Sequence, residues 1–224
     1  MFDVQQLSKH YAKAGQTITA VHGASFSIES GEFVVLHGPS GSGKSTLLLM
    51  LGGMLTPTSG AVCYDGADLY RLSRRDRNRF RRTALGFLFQ KFYLMPYLSV
   101  YDNIRMPLLL RGAGASASTK IADLAQRLHI APRLHHRPGE LSVGEQQRVA
   151  MARALVAEPD VILADEPTGN LDKANRDIMA ECFQDESRRG RTIILATHEE
   201  ALLALGRRRL FLQDGQLQSD EAGP

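Results

Sequence analysis

The residues best suited to chemistry lie at 38 to 46, GPSGSGKST. Gly38, Gly41 and Gly43 let consecutive backbone N–H groups turn inward around anionic oxygens, with Pro39, Ser40 and Ser42 between them. Lys44 can reach the β- and γ-phosphates of a nucleotide. Ser45 can ligate Mg2+, and Thr46 can bond the α-phosphate. The context fits, because the apolar run FVVLHG precedes the loop and the helical pattern STLLLMLGG follows it.

VILADEP at 161 to 167 is the natural complement. Four apolar residues carry a strand through a core and deliver two carboxylates to its carboxyl end, where open α/β sheets bind ligands. Asp165 can hold Mg2+ through water, and Glu166 is placed to polarise a water attacking the γ-phosphate. His198 follows the apolar strand TIILAT and can orient that water. Gln90 ends LGFLF in the same way; its neutral amide can touch Mg2+ or the metal's water without adding charge.

A second helix start raises a question. LSVGEQQRVAMARAL at 141 to 155 passes from a small polar opening into a helix, the pattern of an N-terminus that faces an anion. Ser142 offers a hydroxyl and Gly144 permits close backbone approach. One phosphate loop grips a nucleotide from one side only, and this second start can cover the open side. The residues alone do not say whether it does so within one chain.

These groups need a scaffold. FDVQQL, TITAVHGASFSIE and AVCYDG read as half-buried strands, and LGFLF, DVILAD and TIILAT as buried ones. KANRDIMAECFQDESRR is a helix between two of them, and LFLQDGQLQ a closing hairpin turning at Asp214–Gly215. Alternating apolar strands and helices imply a parallel α/β core. Residues 91 to about 155 differ in texture and read as an inserted, mostly helical subdomain with a flexible loop at 111 to 119. SDEAGP at 219 to 224 reads as a disordered tail.

Bulk properties narrow the class. The 224 residues suit one domain carrying a subdomain, and a net charge of +3 is too mild to argue for nucleic acid. Cys63 and Cys182 read as free cytosolic thiols. The most apolar stretch, TLLLMLGGML, falls far short of the roughly 20 residues that span a bilayer. Seven arginines crowd 71 to 82. They read as a solvated helix face or as a contact for anionic lipid or a membrane partner. No aromatic residues are interleaved for stacking on bases. His135 and His136 have no cysteine or carboxylate cluster near them and read as no metal site.

GPSGSGKST, Gln90, LSVGEQQRVAMARAL, VILADEP, GNLD at 169 to 172 and His198, in this order, resemble the ATP-binding subunit of an ABC transporter over nearly the whole chain. The resemblance implies a P-loop NTPase core with a mostly parallel sheet, an N-terminal antiparallel β subdomain and an inserted helical signature subdomain. It implies ATP and Mg2+ as ligands and ATP hydrolysis as the activity, with Glu166, His198, Lys44 and Gln90 as catalytic candidates. It also implies a head-to-tail dimer, with a second copy or a related ATPase, in which Ser142, Gly144 and Glu145 cap the partner's nucleotide. By the same resemblance Tyr11 stacks on adenine, Asp172 communicates across the dimer and Gln90 links the site to an integral-membrane permease. The chain would then sit on the cytoplasmic face of the cell membrane. GFLFQKFYLMPYLSVYDNIRMPLLL, HRPGELSVGEQQRVAMARAL and LADEPTGNLD resemble the lipoprotein-release, macrolide-export and cell-division branch, which transmits force across the membrane. The family's usual signature is LSGGQ; here Val143 replaces the first glycine of the pair and Gly144 is retained. A β-branched residue is costly wherever φ must be positive, so function is expected to survive with slower hydrolysis. A slow or regulatory ABC module is the alternative.

Overall fold

A computed structural model describes residues 1–13, 16–112, 117–169 and 171–223. Part of the expected flexible loop (113–116), Asn170 of GNLD and Pro224 of the tail therefore lie outside the described residues.

The chain opens with two long strands, β1 (Phe2–Lys13) and β2 (Gln16–Ile28), paired antiparallel. The short β3 (Phe33–His37), buried over its first four residues, leads through the glycine-rich loop into α1 (Lys44–Leu51). Next come β4 (Ser59–Tyr64), β5 (Ala67–Asp68), α2 (Arg74–Thr83) and β6 (Leu85–Leu88). A helical stretch follows: α3 (Val100–Arg111), α4 (Ala117–Arg127), two single 3-10 turns, and α5 (Val143–Leu155). The chain then alternates again through β7 (Val161–Asp165), α6 (Lys173–Arg188), β8 (Thr192–Ala196) and α7 (Glu200–Leu203). It closes with β9 (Arg208–Gln213) and β10 (Gln216–Ala222).

The strands form two sheets. A four-stranded antiparallel sheet runs β2-β1-β4-β5, and a six-stranded sheet runs β10-β9-β3-β8-β7-β6. Within the second, β9, β3, β8, β7 and β6 are parallel, and β10 alone runs against its neighbour. This is the expected mostly parallel core beside an antiparallel N-terminal sheet.

Side-chain alternation explains why both faces of the parallel sheet are covered. Phe33, Val35, Ile162, Ala164, Ile193 and Leu195 point into one apolar cluster, shared with α3, α4, α5 and α6. Val34, Leu36, Val161, Leu163, Ile194 and Ala196 point into the other, shared with α1 and the antiparallel sheet. Helices α2, α3, α5 and α6 begin where short polar side chains cap them: Ser73, Ser99, Ser142 and Asp172 each accept a bond from the N–H three residues on.

One expectation fails. Residues 219–222 are not a disordered tail but the end of β10. Their polar composition hides two tethers. The backbone pairs with β9, and the Asp220 carboxylate accepts two bonds from the Arg208 guanidinium, each 2.6 Å.

Candidate active site

Parallel strands end at the same edge, and four of them supply the pocket there. β3 delivers the glycine-rich loop, β7 the carboxylates Asp165 and Glu166, β8 His198, and β6 Gln90. The pocket, about 290 Å³, is lined by Ala20, Ser40 to Thr46 (Gly41 among them), Gln90, Glu166 and His198.

Two of the loop's glycines are required by contact as well as by conformation. Gly38 (φ 145°) has the Leu212 carbonyl where a Cβ would go, 1.9 Å away; Gly43 (φ 103°) has the Ala20 carbonyl at 2.1 Å. Gly41 differs from both. It is exposed at the crest of the loop, and a Cβ there would meet nothing within 4 Å. Its φ of 81° is the whole of its requirement, so it shapes the loop and takes no part in packing it. Gly43 opens α1 without a side-chain cap, and no acidic residue occupies the first turn. The first amides of that helix therefore have no intrahelical partner, and the helix dipole is not opposed by a local carboxylate. Lys44 is buried, its ammonium donating to the Gly38 and Pro39 carbonyls at 2.9 and 3.1 Å and standing 4.0 Å from Glu166.

Ser45 donates to Asp165 Oδ1 at 2.9 Å. Burial pushes the Asp165 carboxyl above its usual range, with Glu166 adding to the effect, although the bond from Ser45 pulls the other way. A carboxylate that ionises at a cost is one that a bound cation would stabilise. Glu166 has φ 44° and is pinned by its N–H to the Ala196 carbonyl. Its Oε1 lies 3.0 Å from His198 Nδ1, while its Oε2 is buried with no partner. Ser42 Oγ is likewise buried without one. Two orphaned polar atoms and the raised Asp165, beside a buried ammonium, fit a triphosphate and a divalent cation; Ser45, Asp165 and Gln90 are the residues that would hold the cation.

Not every expected residue meets here. Ser142, Gly144 and Glu145 do not line this pocket, nor do Tyr11 and Asp172. Tyr11 stands exposed on β1 with the Lys9 ammonium 5.3 Å from its ring centre. Asp172 caps α6 and accepts from Asn175, whose backbone bond holds its carboxyl below the usual range.

The start of α5 departs from expectation twice. Val143 occupies the first helical position and is absent from the residues of positive φ, so its β-branch carries no backbone strain. Gly144 is needed for a neighbour: a Cβ would lie 2.4 Å from the Asn175 side chain. The amide dipole is also not left bare. Ser142 Oγ accepts from Glu145 N–H at 3.3 Å, Glu145 Oε2 accepts from Ser142 N–H at 2.8 Å, and Arg133 donates to Glu145 Oε1 at 2.7 Å. The Arg133 bond, with help from Ser142, holds the Glu145 carboxyl down at about 2.

Sequence reasoning missed the side chains that connect these parts. Gln147 of α5 donates to the Pro167 carbonyl, one residue past Glu166, at 2.6 Å, and Arg148 bonds Asn175. Thr168 donates to Glu199 at 2.9 Å, tying the end of β7 to the end of β8. No local pattern announces such long-range bonds. The S-x-x-E spacing of Ser142 and Glu145 is a local signal that could have announced the capping box, which sequence reasoning also missed.

Six of the seven arginines of the run lie on α2, and Arg71 precedes it. Phe80 is buried, and Arg77 and Arg81 turn inward, over the Tyr70 ring and onto the Gly53 carbonyl. Arg74, Arg75, Arg79 and Arg82 stay exposed. No helix among the described residues is long and apolar enough to cross a membrane.

Comparison with known proteins agrees with this geometry. The family profile of ABC transporters matches residues 21–169. The chain is similar to the lipoprotein-releasing system ATP-binding protein LolD of Geobacter metallireducens, 41% identical over 98% of this chain and 99% of that one. It is also similar to the macrolide export ATP-binding/permease protein MacB of Hyphomonas neptunium, 38% identical over 98% of this chain but only 34% of the longer relative. Among solved structures, the dimeric ATP-binding cassette MJ0796, bound to ADP and Pi in a post-hydrolysis state, superposes with a TM-score of 0.94 at 33% identity. That match covers 99% of this chain and 98% of that one.

Proposed function

Because the chain belongs to the ABC transporter family and is an ABC-type ATPase, we propose that it hydrolyses ATP in a head-to-tail pair and drives a separate integral-membrane permease. The observation that carries this reading is a divided site. One edge of the sheet supplies a phosphate loop, two carboxylates and a histidine, while the start of α5 stands outside that pocket. A second copy, or a related ATPase, completes it.

The roles follow from the distances. The loop amides and the Lys44 ammonium bind the phosphates and stabilise charge that develops on the transferring group. Glu166 Oε2, buried and unpartnered, accepts a hydrogen from the attacking water. His198 fixes Glu166 through Oε1 and so sets the direction in which Oε2 points. Mg2+, when bound, would neutralise phosphate charge. Gln147, through the Pro167 carbonyl, keeps the Glu166 segment in register with α5. Tyr11 is exposed where it can stack on adenine, and Asp172 is exposed where it can meet the second copy.

The exposed loop 91 to 99 and the apolar groove between α2, β6 and α3 suit a membrane partner; the lipoprotein-release and macrolide-export relatives point to a permease of that branch and to a cytoplasmic position beside it. Val143 was the residue-level reason for a slow or regulatory module. Its ordinary helical backbone removes that reason.

The test uses Glu166→Gln, purified with and without Mg-ATP and sized by light scattering. The reading predicts a monomer that becomes a dimer with ATP. A monomer under both conditions, with ATP bound, would overturn the paired site. Tagged Glu166→Gln recovered with ATP from detergent-solubilised native membranes should bring a permease with few spans and a large outer domain; a many-span channel-like permease would contradict the branch.

A further inference from the structure

The loop after Gln90 contains no regular element, yet its backbone is held by two side chains of the helical stretch. Asn103 of α3, fully buried, accepts from Met95 N–H at 2.7 Å and donates to the Met95, Leu98 and Ser99 carbonyls at 3.1, 3.3 and 2.9 Å. Arg153 of α5 holds the other end, its guanidinium donating to the Phe92 carbonyl at 2.6 Å and the Tyr93 carbonyl at 2.7 Å. Both anchors belong to the helical stretch. Only Lys91 separates Phe92, tied to α5, from Gln90, which lines the phosphate pocket.

Arg153 makes its two bonds without an acidic partner. Among the described residues no carboxylate lies within ion-pair distance of it, and burial alone lowers its pKa. Guanidinium groups taken out of water are ordinarily matched to an acid. This one is matched to two peptide carbonyls of a loop whose Tyr93, Met95 and Tyr97 face outward.

Its place on α5 matters as much as its partners. The next residue, Ala154, sits on β6 so closely that a Cβ on Gly86 would lie 2.4 Å from the Ala154 carbonyl. That contact fixes the C-terminal end of α5 on the sheet. Ser142 lies at the opposite end, roughly 16 Å away at 1.5 Å per residue. The helix thus runs unbroken from the loop's anchor at Arg153 to Ser142, its start tied in addition to Pro167 and Asn175 through Gln147 and Arg148.

We propose that Arg153 is a positioning residue, a clasp that makes the loop 91–98 and the α5 start move as one body. The clasp rests on the paired-site reading above, since it links the membrane-facing loop to the partner's nucleotide through α5. It acts through the loop and the helix and touches no substrate.

Hydrogen exchange followed by mass spectrometry tests it, in a Glu166→Gln background with and without Mg-ATP. With Arg153 present, ATP slows exchange at 142–147 and changes it at 91–98 together. With Arg153→Ala, ATP still protects 142–147, but the response at 91–98 is lost; Arg153→Lys restores part of it. A merely structural role would raise exchange in both segments and leave their ATP responses linked. A response at 91–98 that survives Arg153→Ala undiminished overturns the clasp. Should Arg153→Ala not fold, Arg153→Gln decides: a diminished loop response supports the clasp and a full one overturns it. Absence of protection at 142–147 with Arg153 intact would overturn the paired-site reading itself, and the clasp with it.

Discussion

Helices α1 and α5 begin in opposite ways. The first turn of α1 follows a left-handed glycine, has no side-chain cap, no acid, and a buried lysine as its first residue. The first turn of α5 is capped on both sides by Ser142 and Glu145, and Arg133 neutralises the carboxylate. One start is left without a cap, as the proposed phosphate site requires. The other is already satisfied and presents a finished surface: the Ser142 hydroxyl hydrogen and the two amides, Val143 and Gly144, that no carbonyl of the helix can reach. Under the proposed pairing, the difference teaches that a helix start can be built to hold an anion or built to be pressed against one. Only the first needs to lie in the chain's own pocket.

The comparison breaks most visibly on the open side. Lys44→Ala removes the buried ammonium and should lower ATP hydrolysis about a hundredfold or more, measured as phosphate release. Gly144→Ala strikes the finished side. The new methyl meets Asn175 at 2.4 Å, so a stability loss of about 1–3 kcal/mol in chemical denaturation is expected, with weaker ATP-dependent pairing. Acid sharpens the contrast further. A carboxyl held at about 2 contributes stability above its ordinary value of 4.5 and loses it as pH falls toward 2. Protection at 142–147, taken as the exchange rate relative to its intrinsic value at each pH, should therefore fall below pH 4.5, and Glu145→Gln, which keeps the oxygen facing Ser142 N–H, should abolish that fall. Val143→Gly should do least. It should leave hydrolysis unchanged and cost about 0.5 kcal/mol of helix preference; a clear fall in activity would mean the Val143 side chain matters after all.

Much of the site was legible because its pieces are contiguous. The glycine loop, VILADEP and the strands that end at His198 and Gln90 each carry a local pattern, and a parallel sheet brings such strand ends together whatever the rest of the chain does. The motif does not separate the glycines by task, however: Gly38 and Gly43 answer to distant carbonyls, whereas Gly41 answers only to its own φ. The tail was misread because SDEA is polar; Arg208, far from it in composition terms but opposite it across a hairpin, supplies the tether. Val143 was misread because a glycine position in a motif suggested positive φ, whereas Ser142 already starts an ordinary helix there. Gln147 on Pro167, Arg148 on Asn175 and Arg153 on Phe92 and Tyr93 were invisible, since each is a side chain whose partner is a distant loop.

The divided site itself is tested most directly by mixing two inactive chains, one Lys44→Ala and one Ser142→Asp. Aspartate caps a helix as well as serine does but turns a negative charge toward phosphate. In a mixed head-to-tail pair both lesions fall on one site and leave the other intact, so hydrolysis should return to about a quarter of the unmodified rate in an equal mixture. No recovery, with mixed pairs shown to form on ATP, would place both helix starts of one chain on the same nucleotide and contradict the account.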